Sequence, residues 1–397
     1  MKALLLGYYG SHNLGDDMML ACLLDGMQAQ GAHVTVVSED PVETRNRFKV
    51  PAVQNTPLLG QWDFPRNWLQ GHPFRLIRAI WNADVLVVGG GDLIRDDVGA
   101  RSFLYTLEKI LLAFLLGRPV YLANVGLPQP KTWYGRVSLR LILRCFRVAI
   151  VRDARSVELQ KKYAPLGKCI HVPDVVLHLP EMIYGSRNSI PIFAPPSQSN
   201  TLVICLRGQA NIYGRYALEE KHIQGLAACA DHWVEKHGVR IVFLPFQQGE
   251  EWGDNPLHRR VFAAMKRQDS ATVRKWTGDF REVMECIGEA RCVLAMRLHA
   301  AVLALALRRP CVLMPYDQKL DELGNRFGIK STVHSADLEN PDRLNATLDA
   351  FLNAVDSHVV EIGGLSWEHS VFRHFLQPLN FPEIQEGRSL TRNDNEF

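Results

Sequence analysis

Charge of one sign is scarce in this chain: 45 lysines and arginines stand against 42 acidic residues, leaving a formal net charge of +3. A nucleic-acid partner would call for a basic excess gathered on one face, so that class is set aside and any anionic ligand has to be held locally. Paired cysteines are missing too. The eight cysteines mostly sit inside apolar runs and none forms a Cys-x-x-Cys pair, which argues against disulfide and zinc frameworks and for reduced thiols in a cytoplasmic setting. No apolar run reaches the ~18–20 residues that a spanning helix needs, and residues 1–6 are too short an apolar opening for a secretion signal. Walker A loop, G-x-S-x-G elbow, H-E-x-x-H zinc pair and kinase signatures are all absent, so those chemistries lack their usual marks.

What the chain does have is alternation. A length of 397 residues at 47% hydrophobic composition suffices for one or two buried cores, and length favours two domains. Runs rich in Val, Ile and Leu alternate with amphipathic stretches: KALLLG, HVTVVS, ADVLVVGGG, PVYLANVG and VAIVRD first, then TLVICLRG, RIVFLPFQ, CVLAMR and CVLMPYD. That is the pattern of parallel strands buried on both faces by crossover helices. Residues 184–200, YGSRNSIPIFAPPSQSN, interrupt it with Pro, Ser and Asn in the manner of a linker. The expected organisation is an N-terminal α/β domain over 1–183, the linker, and a C-terminal α/β domain over 201–355, two doubly wound parallel sheets facing across a cleft. A helix around 364–380 is expected to return to the first domain, and 385–397 reads as a disordered tail.

Ligands in such sheets lie beyond the carboxyl ends of the strands. The stretch MRLHAAVLALALRRPCVLMPYDQK, residues 296–319, reads as strand, helix and strand with Arg297, His299 and Lys319 at the joints. A histidine near a helix N-terminus, with a guanidinium fork and an ammonium beside it, describes a phosphate or carboxylate site. The alternative is an arginine that caps a carboxylate and a histidine satisfied in the core. Arg152, in VAIVRDARSVELQKKYA, would face the same cleft, with Ser156 suited to cap or start the next helix and an ion pair to Asp153 or Glu158 as the structural alternative. Removing Arg152 or Lys319 is expected to weaken anion binding at little cost in stability, since strand-end cations contribute little to a core.

GYYGSHNLGDDMML, residues 7–20, is placed like the glycine-rich turn of a nucleotide-binding unit but lacks the G-x-G-x-x-G spacing. Its Gly7, Gly10 and Gly15 let a ligand approach the backbone, and Asn13 can bridge loop and ligand. Asp16 and Asp17 fit either helix electrostatics or catalysis. GGGDLIRDD brings Gly90, Gly91 and Asp92 to another strand end, and PFQQGEEWGD brings Gln247, Gln248 and Glu250 to a third, as candidate sugar contacts. RVSLRLILRCFRVAIVRD spaces Arg136, Arg140, Arg144 and Arg147 among apolar residues, which fits a half-buried helix with a solvated arginine face or a helix lying on an anionic membrane.

In order along the chain, GYYG..N.GDD at 7–17, GGGD at 89–92, R-D-x-x-S at 152–156, RLHA at 297–300 and Y-D-x-K at 316–319 resemble the motifs of the polysaccharide pyruvyl transferases. Gln318 stands where that family often has proline. The resemblance implies a GT-B-like fold and transfer of the enolpyruvyl unit of phosphoenolpyruvate to a sugar of a cell-surface polysaccharide or its precursor, giving a pyruvate ketal and phosphate. It also implies that Arg152, His299 and Lys319 occupy phosphoenolpyruvate-binding and catalytic positions, joined in binding by Arg297 and Leu298. A ligand with a phosphate and a carboxylate needs several separated cations, in keeping with that set. His299 is the expected proton-handling group, its pKa lowered by neighbouring positive charge and the helix dipole, with the bound trianion opposing that shift and so loading the proton that the enol carbon receives, which makes the imidazole a switchable acid. Candidates for the sugar are Gly10, Asn13, Asp16, Asp17, Gly90, Gly91, Asp92, Gln247 and Gln248. Phosphoenolpyruvate is expected as co-substrate with no cofactor and no metal, the acceptor being a glycan, lipid-linked or free, met in the cytoplasm or at the inner face of the cell membrane. The competing readings are a GT-B glycosyltransferase or sugar-nucleotide epimerase, and a non-catalytic glycan-binding protein.

Overall fold

A computed structural model describes residues 1–58, 69–96, 100–208, 218–251, 253–316, 318–329, 332–334, 337–338 and 340–354. The helix expected around 364–380 and the tail over 385–397 lie outside the described residues. Two parallel sheets organise the chain. The first contains β1 (Lys2–Tyr9), β2 (His33–Ser38), β3 (Ala52–Gln54), β4 (Val85–Gly89), β5 (Val120–Val125), β6 (Phe146–Val151) and β7 (Lys168–His171), in the order β3-β2-β1-β4-β5-β6-β7. The second contains β8 (Thr201–Cys205), β9 (Arg240–Phe243), β10 (Ala271–Val273), β11 (Cys292–Ala295) and β12 (Cys311–Leu313), in the order β10-β9-β8-β11-β12. Strand order reverses between β1 and β4 in one and between β8 and β11 in the other, the crevices where open α/β sheets bind ligands.

β3, β7 and β10 are the strands that no apolar run announces, and all three lie at sheet edges. Each has three or four residues, mostly half-buried or exposed, because an edge strand is covered by a neighbour on one side only. Interior strands such as β4 and β5 are buried at every position, hence their unbroken apolar runs.

In chain order the helices are α1 (Leu14–Ala29), α2 (Pro41–Phe48), α3 (His72–Asn82), α4 (Ala100–Leu115), α5 (Trp133–Cys145), α6 (Ala154–Tyr163), α7 (Leu179–Tyr184), α8 (Glu220–His237), α9 (Asn255–Ala264), α10 (Phe280–Gly288), α11 (Leu298–Ala306), α12 (Gln318–Phe327) and α13 (Pro341–Ala354). One face of the first sheet packs on α3, α4, α5 and α6, and one face of the second on α8, α9 and α13. The two inner faces are continuous. A single buried cluster runs from β1 and α1 through Val175, Val176 and α11 to β8 and α10. That explains the composition of α11: Ala300 to Leu305 are all fully buried, and a helix packed on all sides has no use for a polar stripe. The expected linker holds short 3-10 turns at Arg187–Ser189 and Pro196–Gln198 and is tied down by Arg309, whose Nη1 donates to the Ala194 carbonyl at 2.8 Å.

Candidate active site

Both strand-order reversals open onto one cavity of about 390 Å³. Asn13, Asp16, Gly91, Asp92, Arg152, Arg297, Leu298, His299 and Lys319 line it, together with Arg95, Arg207 and Tyr316. Each comes from a chain segment just past a strand: β1, β4, β6, β8, β11 and β12. Asn13 caps α1, its Oδ1 accepting from the Gly15 amide at 3.0 Å. A backbone bridge between Asn13 and Gln247, and the Leu14 amide donating to Phe246 at 2.8 Å, fasten this helix start to the second half of the chain. His299 occupies the first turn of α11, whose N-cap is Arg297. Gly15 faces its ring so closely that a Cβ there would collide with Nδ1 of His299. Gly15→Ala is therefore expected to cost about 1–3 kcal/mol through overpacking as the imidazole is displaced, read by thermal denaturation.

Arg152 is the hub of the inner charges. Its Nη2 donates to Asp92 Oδ1 and its Nη1 to Asp174 Oδ2, each at 3.0 Å. Lys319 Nζ lies 2.6 Å from the other Asp92 oxygen, and His299 Nε2 lies 3.7 Å from Asp174 Oδ2. Burial pushes the Asp92 carboxyl up, but the cations of Lys319 and Arg152 outweigh it and hold the group at about 2. Burial likewise works against the Arg152 charge, and Asp174 and Asp92 overcome it, so that its pKa rises. His299 falls to about 4. Burial is the main cause, with Arg152 and Lys319 adding and Asp174 opposing, so the expected positive field is a secondary contributor. Asp16 moves the other way, raised to about 7 by burial and then by Asp17, against the pull of Arg152, Lys319 and Arg297. At neutral pH two carboxylates thus offset two cations around a neutral imidazole. Cationic groups do gather here, but with counter-ions already in place.

Three expectations need correction. Arg152 pairs with Asp92 and Asp174 rather than with Asp153 or Glu158. Asp153 is the N-cap of α6, accepting from the Ser156 amide at 2.7 Å and its hydroxyl at 2.6 Å, so Ser156 stands in the first turn of the helix but does not cap it. Because Arg152 is buried with both partners, Arg152→Ala is now expected to destabilise the fold, by about 3 kcal/mol in urea unfolding, as two carboxylates lose a partner. Arg297 takes up the structural alternative: its Nε and Nη2 bind Asp254, a fully buried carboxylate that also accepts from the amides of Gly208, Phe246 and Gln247 at 2.8–2.9 Å.

A family comparison speaks to the same residues. The polysaccharide pyruvyl transferase family model matches residues 13–318. The chain belongs to the polysaccharide pyruvyl transferase family. No curated protein matches it in sequence. Among solved structures it is similar to the UDP-GlcNAc 2-epimerase from Neisseria meningitidis bound to UDP-GlcNAc (11% identity, 96% of this chain and 99% of that one, TM-score 0.61). It is also similar to S. aureus MnaA solved with UDP (11%, 96% and 97%, 0.64) and to Acinetobacter baumannii MurG (12%, 95% and 98%, 0.53). Identities this low establish the fold alone, and that fold is GT-B-like. The stretch matched to the pyruvyl transferases contains Asp16, Asp92, Arg152, Arg297 and His299 and ends beside Lys319.

Within this pyruvyl transferase fold the remaining candidates take up other tasks. Gly10 packs against Ser38 and Asp40, and Gly90 against Met19 and the Tyr9 hydroxyl. Asp17 pairs with Arg47 at 2.5 Å, its pKa still raised to about 6 by burial. Gln247 donates to the Ser11 carbonyl at 2.8 Å, the Gln248 amide donates to His12, and Glu250 pairs with Arg259 on the surface. None of these lines the 390 Å³ cavity. His12, Asp40 and Glu43 lie close enough together to hold a metal ion, although Asp40 Oδ1 already caps α2 through the Val42 and Glu43 amides.

Asp174, Arg207 and Arg95 escaped sequence reasoning, Arg95 lining the cavity from the GGGDLIRDD segment. Asp174, in HVPDVV, follows the edge strand β7 and caps the turn Val175–His178, and a lone Pro-Asp gives no hint of contact with Arg152 and His299. Arg207 ends TLVICLR as Arg152 ends VAIVR, so the same strand-end signal was present. Its guanidinium stacks 4.2 Å from the Tyr316 ring centroid and makes no ion pair with a described residue.

Proposed function

We propose that this chain transfers the enolpyruvyl unit of phosphoenolpyruvate onto two hydroxyls of one sugar in a polysaccharide or its precursor, forming a pyruvate ketal and releasing phosphate. One observation carries the reading: a single cavity gathers Arg152, Arg207, Arg297 and Lys319 around two proton-carrying groups displaced in opposite directions, Asp16 at about 7 and His299 at about 4. A pair of titratable groups pushed apart by their surroundings is the usual signature of an acid and a base. Neither group is held by a hydrogen bond among the described residues, the contact of His299 with Asp174 being 3.7 Å. His299 Nε2 is buried without a hydrogen bond, and the Asp16 carboxyl has no hydrogen bond or ion pair among the described residues. A second cavity of about 550 Å³ meets the first at Arg152, Leu298 and Lys319, which suits a reaction of two substrates.

In this reading the arginines and Lys319 hold the phosphate and carboxylate. Protonated Asp16 gives its proton to C3 of the enol, making the methyl group, while neutral His299 takes the proton of the attacking hydroxyl as the first C2–O bond forms. The bond from C2 to the phosphate oxygen then breaks, phosphate leaving with the proton from His299 and C2 becoming an oxocarbenium centre. The second hydroxyl bonds to that C2 as it passes its proton to the Asp16 carboxylate. Both groups return to their starting states.

Activity should then fall as pH drops towards 4, where His299 is protonated, and as it rises above about 7, where Asp16 has lost its proton. Asp16→Asn is expected to lower turnover ~10²–10⁴-fold and to remove the alkaline limb, with calorimetric phosphoenolpyruvate binding retained. The reading as a whole is tested by phosphate release from phosphoenolpyruvate across a panel of glycan acceptors. Release with none of them, together with tight binding of a nucleotide sugar, would favour the glycosyltransferase or epimerase alternative.

A further inference from the structure

The far side of the first sheet presents an unusual surface. Helices α3, α4 and α5 bury one flank each against the strands through Leu76 and Ile80, Leu107 and Ile110, and Leu139 and Ile142. Their outward flanks are apolar too. Trp81 on α3 is 58% exposed, Leu115 on α4 79% and Trp133 on α5 71%, joined by Phe74, Phe114 and Leu141. Interleaved with them are Arg75 and Arg78 on α3 and Arg136, Arg140 and Arg144 on α5, all exposed. None of these five makes an ion pair or side-chain hydrogen bond with a described residue. On α5, Trp133, Val137 and Leu141 form one exposed row at i, i+4 and i+8, and Arg136, Arg140 and Arg144 form the row beside it. A helix with a merely solvated arginine face would have turned its apolar residues inward. Acidic residues are missing as well: between Glu108 and Asp153 the chain contains no aspartate or glutamate, in a molecule whose charges otherwise nearly cancel.

We propose that the outer surface of α3, α4 and α5 docks onto an anionic lipid bilayer. Among the described residues no helix is long and apolar enough to cross a membrane, so the contact is interfacial. Tryptophan and phenylalanine side chains sink into the headgroup and acyl boundary, and unpaired arginines meet lipid phosphates. Charge complementarity selects this occupant, because a face carrying five exposed arginines repels a second copy of itself. α4 also lends Tyr105 and Thr106 to the cavity, so the docking surface and the site share an element. This inference stands apart from the transfer reading and survives if the chemistry proves different.

The test is co-sedimentation of the whole chain with vesicles of phosphatidylcholine alone and of phosphatidylcholine mixed with phosphatidylglycerol, at low and high salt. Recovery should be higher with the anionic vesicles and should fall with salt, since surface charges are screened. Arg140→Glu combined with Arg144→Glu, and separately Trp81→Ser combined with Trp133→Ser, should each reduce binding roughly tenfold or more, at unchanged melting temperature because these side chains are exposed. Equal recovery on both vesicle types overturns the proposal, and so does wild-type binding by both double variants. Self-association that Trp133→Ser abolishes, in a chain that ignores vesicles, would instead make this face a contact between copies.

Discussion

Replacing His299 with glutamine should lower ketal formation by ~10²–10⁴-fold while leaving phosphoenolpyruvate binding within a few-fold of the wild type. The imidazole lines the cavity from the first turn of α11, against Gly15, with Nε2 buried, without a hydrogen bond and 3.7 Å from Asp174 Oδ2. Its pKa of about 4 keeps it neutral at physiological pH, so it adds little to the charge that holds an anion, and what it supplies is a site for a proton. Glutamine keeps approximate shape and hydrogen bonding without a titratable nitrogen. Calorimetry with phosphoenolpyruvate beside a phosphate-release assay separates the roles: lost binding would make His299 a clamp, and retained turnover would remove it from the chemistry. A stability signature accompanies the kinetic one. The folded value lies below the ordinary 6.5, so the folded state resists a proton that the unfolded chain accepts. Stability is then present above about 6.5 and is lost as pH falls towards 4. The buried His258, also lowered to about 4 by burial, acts in the same direction. His299→Gln should remove the His299 share alone, leaving His258 and the raised carboxyls Asp16 and Asp17, which act in the opposite sense, and the difference between the two thermal denaturation profiles from pH 7 to pH 4 reads it.

Asp254→Ala should be the most destabilising single change in the second half of the chain, by roughly 5 kcal/mol. Breaking a buried ion pair by removing one partner costs about 3–5 kcal/mol, because the other charge stays buried. Each backbone N–H left without an acceptor adds about 1–3 kcal/mol where water cannot replace it. Asp254 is fully buried, is the counter-ion of Arg297, and accepts from the amides of Gly208, Phe246 and Gln247. Those amides belong to the segments after β8 and β9, which carry Arg207 and Phe246 into the cavity. Chemical denaturation measures the loss. Asp254→Asn, which keeps one acceptor oxygen but no charge, should fall between Asp254→Ala and the wild type. A variant as stable as the parent would show that Arg297 and these loops are held by something else.

How much of this could be read from the chain alone depended on how local the cause was. Unbroken apolar runs marked the interior strands, since a strand covered on both faces needs apolar residues throughout. The edge strands β3, β7 and β10 left no such trace. The strand-end residues Asp92, Arg152, Arg297, His299 and Lys319 were legible for a similarly local reason: each follows a strand, and parallel sheets put those ends on one rim. What the rim does electrostatically was settled by residues far apart in sequence. Arg152 meets Asp92 and Asp174 across separations of 60 and 22 residues, and Arg297 meets Asp254 across 43. Burial depends on everything packed around a group, and burial raised Asp16 and lowered His299. The GT-B-like alternation and the motif set of a polysaccharide pyruvyl transferase are written in neighbouring residues and can be read along the chain. Which cations are already paired, which carboxyl keeps its proton and which imidazole stays neutral emerge on folding, because charge states follow from contacts and desolvation that chain order does not encode.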